Sequence, residues 1–172
     1  MNKKHTQITA LLHGALIAAI YAAATYAISA IAYGPIQFRI SEALTVFSVF
    51  TPAAIPGLTV GCILANISSP YGVWDIIFGS AATLLASLSA RKLRKITFKG
   101  IPVLSILMPV IFNAVIVGAE ITFFFPTEGG ATLTAFAISA LQVGFGELVV
   151  CLLGGIPLYI AISKTKLFKN FR

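Results

Sequence analysis

Tyr33-Gly34-Pro35-Ile36-Gln37-Phe38-Arg39-Ile40-Ser41-Glu42-Ala43-Leu44 lies between two strongly apolar runs. Within four residues this stretch sets an arginine and a glutamate where the chain passes from a loop into an apolar segment. A charge at a hydrocarbon boundary is costly unless it is paired, hydrated or turned into a cavity. The flanking runs therefore read as membrane helices, and the charged residues between them as a candidate site.

Composition supports that reading. The chain has 172 residues, 58% of them hydrophobic and only 10% charged, with a mean hydropathy of +0.97. A soluble domain of this length would lack the charged surface that water requires. The apolar runs are continuous rather than alternating, which excludes an outer-membrane barrel. The expectation is an all-α integral membrane protein with a single transmembrane domain over residues 1–172. Its first run, Ile8 to Ala32, is too long for a signal-peptide core and spans a bilayer at ~1.5 Å per residue. The net charge of +7 does not point to nucleic acid, because the basic residues sit beside hydrophobic segments, where they set topology. Cys62 and Cys151 have no metal-like spacing and read as small core residues.

In order along the chain, segment one runs from Ile8 to Ile31. Ala15, Ala19, Ala23 and Ala27 recur every fourth residue on it, with Ala18 and Ala22 in a neighbouring row. Small residues at that period let helix backbones approach closely in a membrane, either within one bundle or against another protein. Two short segments follow, Ile40–Phe50 and Ile55–Ile67, broken by Thr51-Pro52 and Ile55-Pro56-Gly57. Each falls short of the ~20 residues that span alone, so they are thin spanning helices or one re-entrant hairpin. Segment four starts at Val73-Trp74-Asp75 and ends near Ala90, before the basic run Arg91-Lys92-Leu93-Arg94-Lys95 with Lys99. Segment five covers Ile101 to Phe125, and Glu128 follows in a solvated loop. Segment six covers Thr132 to Ile162, where Gly154, Gly155 and Pro157 are expected to bend or end it. Lys164, Lys166, Lys169 and Arg172 close the chain. Basic residues mark the inner side of a membrane, which puts both termini in the cytoplasm and the loops at 33–39, 68–75 and 126–131 outside.

No Gly-x-x-x-x-Gly-Lys-Ser/Thr phosphate loop and no His-Glu-x-x-His pair occurs, so neither ATP hydrolysis nor metalloprotease chemistry is expected. What remains is sparse polar groups in apolar segments. Arg39 and Glu42 have helical-neighbour spacing. Asn113 and Glu120, seven apart, share a helix face. Asn66 ends segment three, and Gln142 and Glu147 are turned apart on segment six. Structural uses compete with functional ones. Arg39 with Glu42 makes an ion pair, Asn66 and Asn113 make interhelical hydrogen bonds, and Trp74 makes an interfacial anchor. Glu120 and Glu147 are harder to assign to structure, because an unpaired carboxylate at membrane depth has few structural uses.

The Tyr33–Leu44 run, the later Pro52-Ala-Ala-Ile-Pro-Gly57 and the Asn66…Trp74-Asp75 stretch resemble the QueT family. These are substrate-binding (S) components of energy-coupling factor transporters for queuosine precursors. The resemblance implies a six-helix S-component bundle with its pocket near the outer face of a bacterial plasma membrane. It also implies partners: a transmembrane coupling subunit and two cytoplasmic ATPase subunits, which use the ATP, so that this chain carries no cofactor. An Ala-x-x-x-Ala pattern on the first helix of S components contacts the coupling subunit, and the matching positions are Ala15, Ala19 and Ala23. The implied ligand is a 7-deazaguanine such as preQ1 or preQ0. It presents adjacent N–H donors that a carboxylate accepts together, and a flat face that suits an aromatic ring. On this reading Glu42, Glu120 and Asn113 line the pocket and Gln37 and Arg39 form its rim. Trp74 and Tyr71 lie in a lid loop, and Asn66 and Glu147 complete the candidates. The alternatives are an S component for a flavin or pterin, a stand-alone proton-coupled carrier, and a purely structural membrane subunit.

Overall fold

The computed structural model describes residues 3–34, 36–126 and 129–165, with side chains from Gln7 onward. The expectations for Pro35, Glu128, Lys166, Lys169, Arg172 and the side chains of Lys3, Lys4 and His5 fall outside these residues. Four helices are long and apolar enough to cross a membrane: α1 (Lys3–Ala27), α4 (Val73–Leu93), α5 (Val103–Phe124) and α6 (Leu133–Lys164). Two shorter apolar helices, α2 (Ile40–Phe50) and α3 (Ala54–Asn66), lie between α1 and α4. No strand occurs among the described residues.

Contacts at both of its ends lay α2 alongside α4. At its start Arg39 bonds to Asp75, in the first turn of α4. Near its end the Ser48 carbonyl accepts from Arg91 Nη1 at 3.1 Å, in the last turn of α4. Asp75 and Arg91 are about 24 Å apart at 1.5 Å per residue, and α2 bridges that distance together with the reach of the two arginine side chains. Ile40–Val46 is a 3-10 helix, which rises ~2.0 Å per residue and so lengthens this part of α2 a little. The chain turns at Thr51–Ala53, and α3 returns to the first end, where Asn66 meets the Asp75 carbonyl.

One end of the bundle is basic. The Tyr159 hydroxyl of α6 donates to the Gly100 carbonyl beyond the Arg91–Lys99 run, and its ring stacks on Phe50 of α2 at 5.2 Å. Helix crossings elsewhere are built on small residues, as close approach in a membrane requires. A Cβ placed on Gly61 of α3 would lie 2.7 Å from Tyr21 Cβ and 2.9 Å from the Ala18 carbonyl of α1. Similarly, a Cβ on Gly118 of α5 would lie 2.9 Å from Ala140 Cα of α6, and one on Gly154 would lie 2.9 Å from Ala43 Cβ of α2. Helix α6 does not end at Gly154-Gly155. It continues through a π-helical stretch, Cys151–Gly155, and Pro157 falls in the first turn beyond it, where a missing N–H is tolerated. Cys62 and Cys151 are free and buried.

The α1–α3 crossing tests this packing. Gly61→Ala should lower unfolding stability by about 1–3 kcal/mol through overpacking against backbone that cannot move aside. Thermal unfolding in detergent reads this directly, and an unchanged midpoint would contradict the close approach.

Candidate functional site

Four of the chain's five acidic residues, Glu42, Asp75, Glu120 and Glu147, are buried in the bundle. Arg39 is the buried cation that accompanies them, and no second one occurs among the described residues. This inverts the usual placement of carboxylates and defines the site.

Arg39 does not pair with Glu42, as its spacing suggests. Its backbone (φ −82°, ψ 86°) precedes the helix and is not helical, so the two side chains never share a helical face. Instead Nη2 donates to both carboxylate oxygens of Asp75, each at 2.9 Å, with the two side chains at 1% and 0% exposure. Nε donates to the Ala32 carbonyl at 3.4 Å, and the guanidinium lies 5.4 Å from the centre of the Tyr33 ring. The Tyr33 hydroxyl, pushed up to about 12 by burial, stays protonated and donates to the Ala65 carbonyl at 2.7 Å. Asn66 Nδ2 donates to the Asp75 main-chain carbonyl at 2.7 Å, which makes Asn66 part of the scaffold of this ion pair. Gly79 makes room for the cluster, since a Cβ there would lie 2.6 Å from Asn66 Nδ2 and 2.7 Å from Asp75 Oδ1.

Glu42 is also satisfied from within the chain. Tyr21 of α1 and Thr83 of α4 donate to its Oε1, the latter at 2.8 Å, and Thr45 donates to Oε2 at 3.1 Å. The Thr45 contact follows from the 3-10 winding, which eclipses side chains three residues apart. One turn of α1 further on, the hydroxyls of Thr25 and Ser41 share a hydrogen bond of 2.7 Å. Glu42 thus ties α1, α2 and α4 together.

Gln37, Asn113, Glu120 and Glu147 are different. All four are at most 1% exposed, and none of their side-chain nitrogens or oxygens has a hydrogen-bond partner among the described residues. Arg39 Nη1 shares that condition. Two of them lie near the ion pair: Glu120 interacts electrostatically with Asp75 and Arg39, and Glu147 with Glu42 and Arg39. The main chain of Gln37 packs directly on Gly146, beside Glu147, so the loop before α2 is seated against α6. Asn113 shares the buried face of α5 with Glu120. Buried polar groups are almost always paired, so an unpaired set of this size marks a place that takes a polar ligand or ordered water.

The remaining candidates are placed less centrally. Gln37 and Arg39 are fully buried, so neither forms an exposed rim. Trp74 is not in the loop with Tyr71 but in the first turn of α4, 39% exposed, with its ring tilted 31° against Phe124 at 4.1 Å. Because Asp75 points inward, its helical neighbour Trp74 must point elsewhere. Tyr71 does lie in the loop, edge-on to Phe125 at 4.9 Å, and borders a separate cleft of about 470 Å³ that also includes Gln142. On α1 the two alanine rows divide. Ala18 and Ala22 are buried against the bundle, whereas Ala15, Ala19 and Ala23 are exposed. Ala15 lines an apolar groove of about 590 Å³ between α1 and α3, with Leu11, Gly14, Pro56 and Val60. The sequence reading missed Asp75, Tyr21 and Thr83 as partners in the buried network. Scarcity was the available signal for Asp75, since Arg39 has five acidic residues to choose from.

An apolar helical bundle with a converging set of unpaired polar groups in its interior is the architecture of a multi-pass membrane transport protein. Comparison makes this particular. The QueT transporter family model matches residues 11–164, and the chain belongs to that family. The queuosine precursor transporter QueT of Lactococcus lactis subsp. cremoris (strain MG1363) is 42% identical over 73 residues. That alignment takes in 41% of this chain and 43% of the relative, less than half of either. No solved structure matches the chain. Family and apolar helices together make it a multi-pass protein of a bacterial cell membrane.

The ion pair generates a sharp stability expectation. Asp75→Ala leaves Arg39 as a buried, uncompensated charge and should cost about 3–5 kcal/mol. Replacing both partners, Arg39→Met with Asp75→Leu, should recover most of that loss. A double variant no more stable than the single one, by thermal unfolding in detergent, would mean the two charges are not coupled.

Proposed function

We propose that the chain is the substrate-binding S component of an energy-coupling factor importer, capturing a 7-deazaguanine precursor of queuosine. The observation that carries this reading is the unpaired polar set of Gln37, Asn113, Glu120 and Glu147. A 7-deazaguanine offers it vicinal N–H donors for a carboxylate, and a carbonyl and ring nitrogens for the amides. The name of the Lactococcus relative supports the substrate class.

In this reading the six apolar helices form the S-component bundle, with both termini and the basic end cytoplasmic and the Arg39–Asp75 end outside. Glu120 and Asn113 hold the base, Gln37 and Glu147 complete the pocket, and Tyr71 stands near the entrance. Glu42 and Asn66 position these groups rather than touch the ligand, because their own partners occupy them, while Arg39 is anchored on Asp75 through Nη2 and keeps Nη1 without a partner among the described residues. Trp74 serves as an interfacial anchor. The exposed Ala15, Ala19 and Ala23 form the docking row for a transmembrane coupling subunit. Two ATPase subunits supply the energy, and the chain itself carries no cofactor.

Binding of 7-aminomethyl-7-deazaguanine to the purified protein, by calorimetry and tryptophan fluorescence, tests the reading. Glu120→Gln should weaken binding by about tenfold or more, the scale of one charge-assisted hydrogen bond. Leu141→Ala, on the exposed face of α6, should leave it unchanged. Uptake by this chain alone in liposomes, driven by a pH gradient, would replace the reading with that of a proton-coupled carrier.

A further inference from the structure

The buried charges do not balance. Arg39 is engaged by Asp75, which leaves Glu42, Glu120 and Glu147 with no buried cation of their own among the described residues. Glu42 is at least supplied with hydroxyl donors from Tyr21, Thr45 and Thr83. Glu147 has none, is 0% exposed, and lies in the field of the Glu42 carboxylate. Seating of the Gln37 main chain on Gly146 holds this part of α6 against the loop before α2, so Glu147 is not on a segment free to swing outward. Two neighbouring carboxylates in an apolar interior are costly unless a proton or a positive charge accompanies them, and no further buried cation occurs among the described residues.

We infer that the site selects a cationic ligand, with Glu147 taking a positively charged amine and Glu120, with Asn113, taking the hydrogen-bonding edge of the base. The inference rests on the function proposed above and specifies which member of the ligand class the site takes. A 7-deazaguanine with an aminomethyl arm carries such a charge, since an alkylamine is protonated at neutral pH as lysine is. Its 7-cyano counterpart has the same ring and hydrogen-bonding edge but no charge, and would leave Glu147 buried and unpaired.

The test compares the two ligands on the same protein. Wild type should bind 7-aminomethyl-7-deazaguanine at least about tenfold more tightly than 7-cyano-7-deazaguanine, the scale of one charge-assisted contact. In Glu147→Gln the preference should fall to about threefold or less. In Glu120→Gln both affinities should fall together, with their ratio kept. Because the ratio is taken within each variant, a partly unfolded preparation does not distort it, and size-exclusion elution checks the fold separately. Equal affinity for both ligands in wild type overturns the inference and leaves the proposed function standing. A preference that survives Glu147→Gln, or disappears in Glu120→Gln instead, overturns the assignment of Glu147. Failure of both ligands to bind removes the proposed function and the inference with it.

Discussion

Arg39 and Asp75 have left water together, and the geometry around them follows from the need to keep each charge satisfied. Desolvating an ion pair costs several kcal/mol per ion unless the attraction and the surrounding hydrogen bonds offset it. Here the carboxylate accepts two bonds from one guanidinium nitrogen, the Ala32 carbonyl accepts from another, and Asn66 fastens the Asp75 backbone to α3. The Arg39–Asp75 contact joins residues 36 apart in sequence, and the other two fasten the adjoining chain to it. The loop before α2 is pinned to the head of α4, and the end of α3 to the same place. Gly79 cannot carry a side chain without breaking the cluster. The start of α2 is thereby set, and with it the position of every polar group that α2 carries.

From that start the 3-10 winding has two effects. It makes α2 roughly 3.5 Å longer than an α-helix of the same eleven residues would be. It also presents Glu42 where hydroxyls from α1, α4 and its own next turn reach it. Glu42 and Glu147 are equally buried, yet one is surrounded by donors and the other has none among the described residues. That difference separates a carboxylate built into the scaffold from the one proposed to meet a ligand. Burial alone would have grouped them.

The sequence made the helices legible because membrane spans declare themselves by length and continuous apolarity. The bounds at Ile40, Phe50, Val73 and Phe124 lie within a residue or two of where composition changes. Asn113, Glu120 and Glu147 were legible for a related reason: a polar residue at membrane depth has few structural uses. Partners were another matter. Spacing reports neighbours within one helix, so it linked Arg39 to Glu42 and was blind to Asp75, a residue in another helix. Tyr21 and Thr83 carry no signal at all in sequence, since a hydroxyl on an apolar helix is ordinary until a carboxylate is seen beside it. Trp74 was misplaced by its position at a loop–helix junction, where one residue decides whether a side chain follows the loop or the helix face.

Helix α1 joins the two halves of the proposed mechanism, and its bonds limit how the protein can move. Its outward row, Ala15, Ala19 and Ala23, is exposed, while Tyr21 on the opposite side donates to Glu42 and Thr25 meets Ser41. Sliding α1 along the bundle to answer a partner would pull Tyr21 from a buried carboxylate. Each buried hydrogen bond lost this way costs about 1–3 kcal/mol. It would also drive Ala18 across Gly61, where backbones already touch as closely as a missing side chain permits. Rotating the whole bundle breaks neither contact. A partner gripping the alanine row would therefore turn the subunit as one body, carrying the ligand site with it, rather than open the site by shearing one helix.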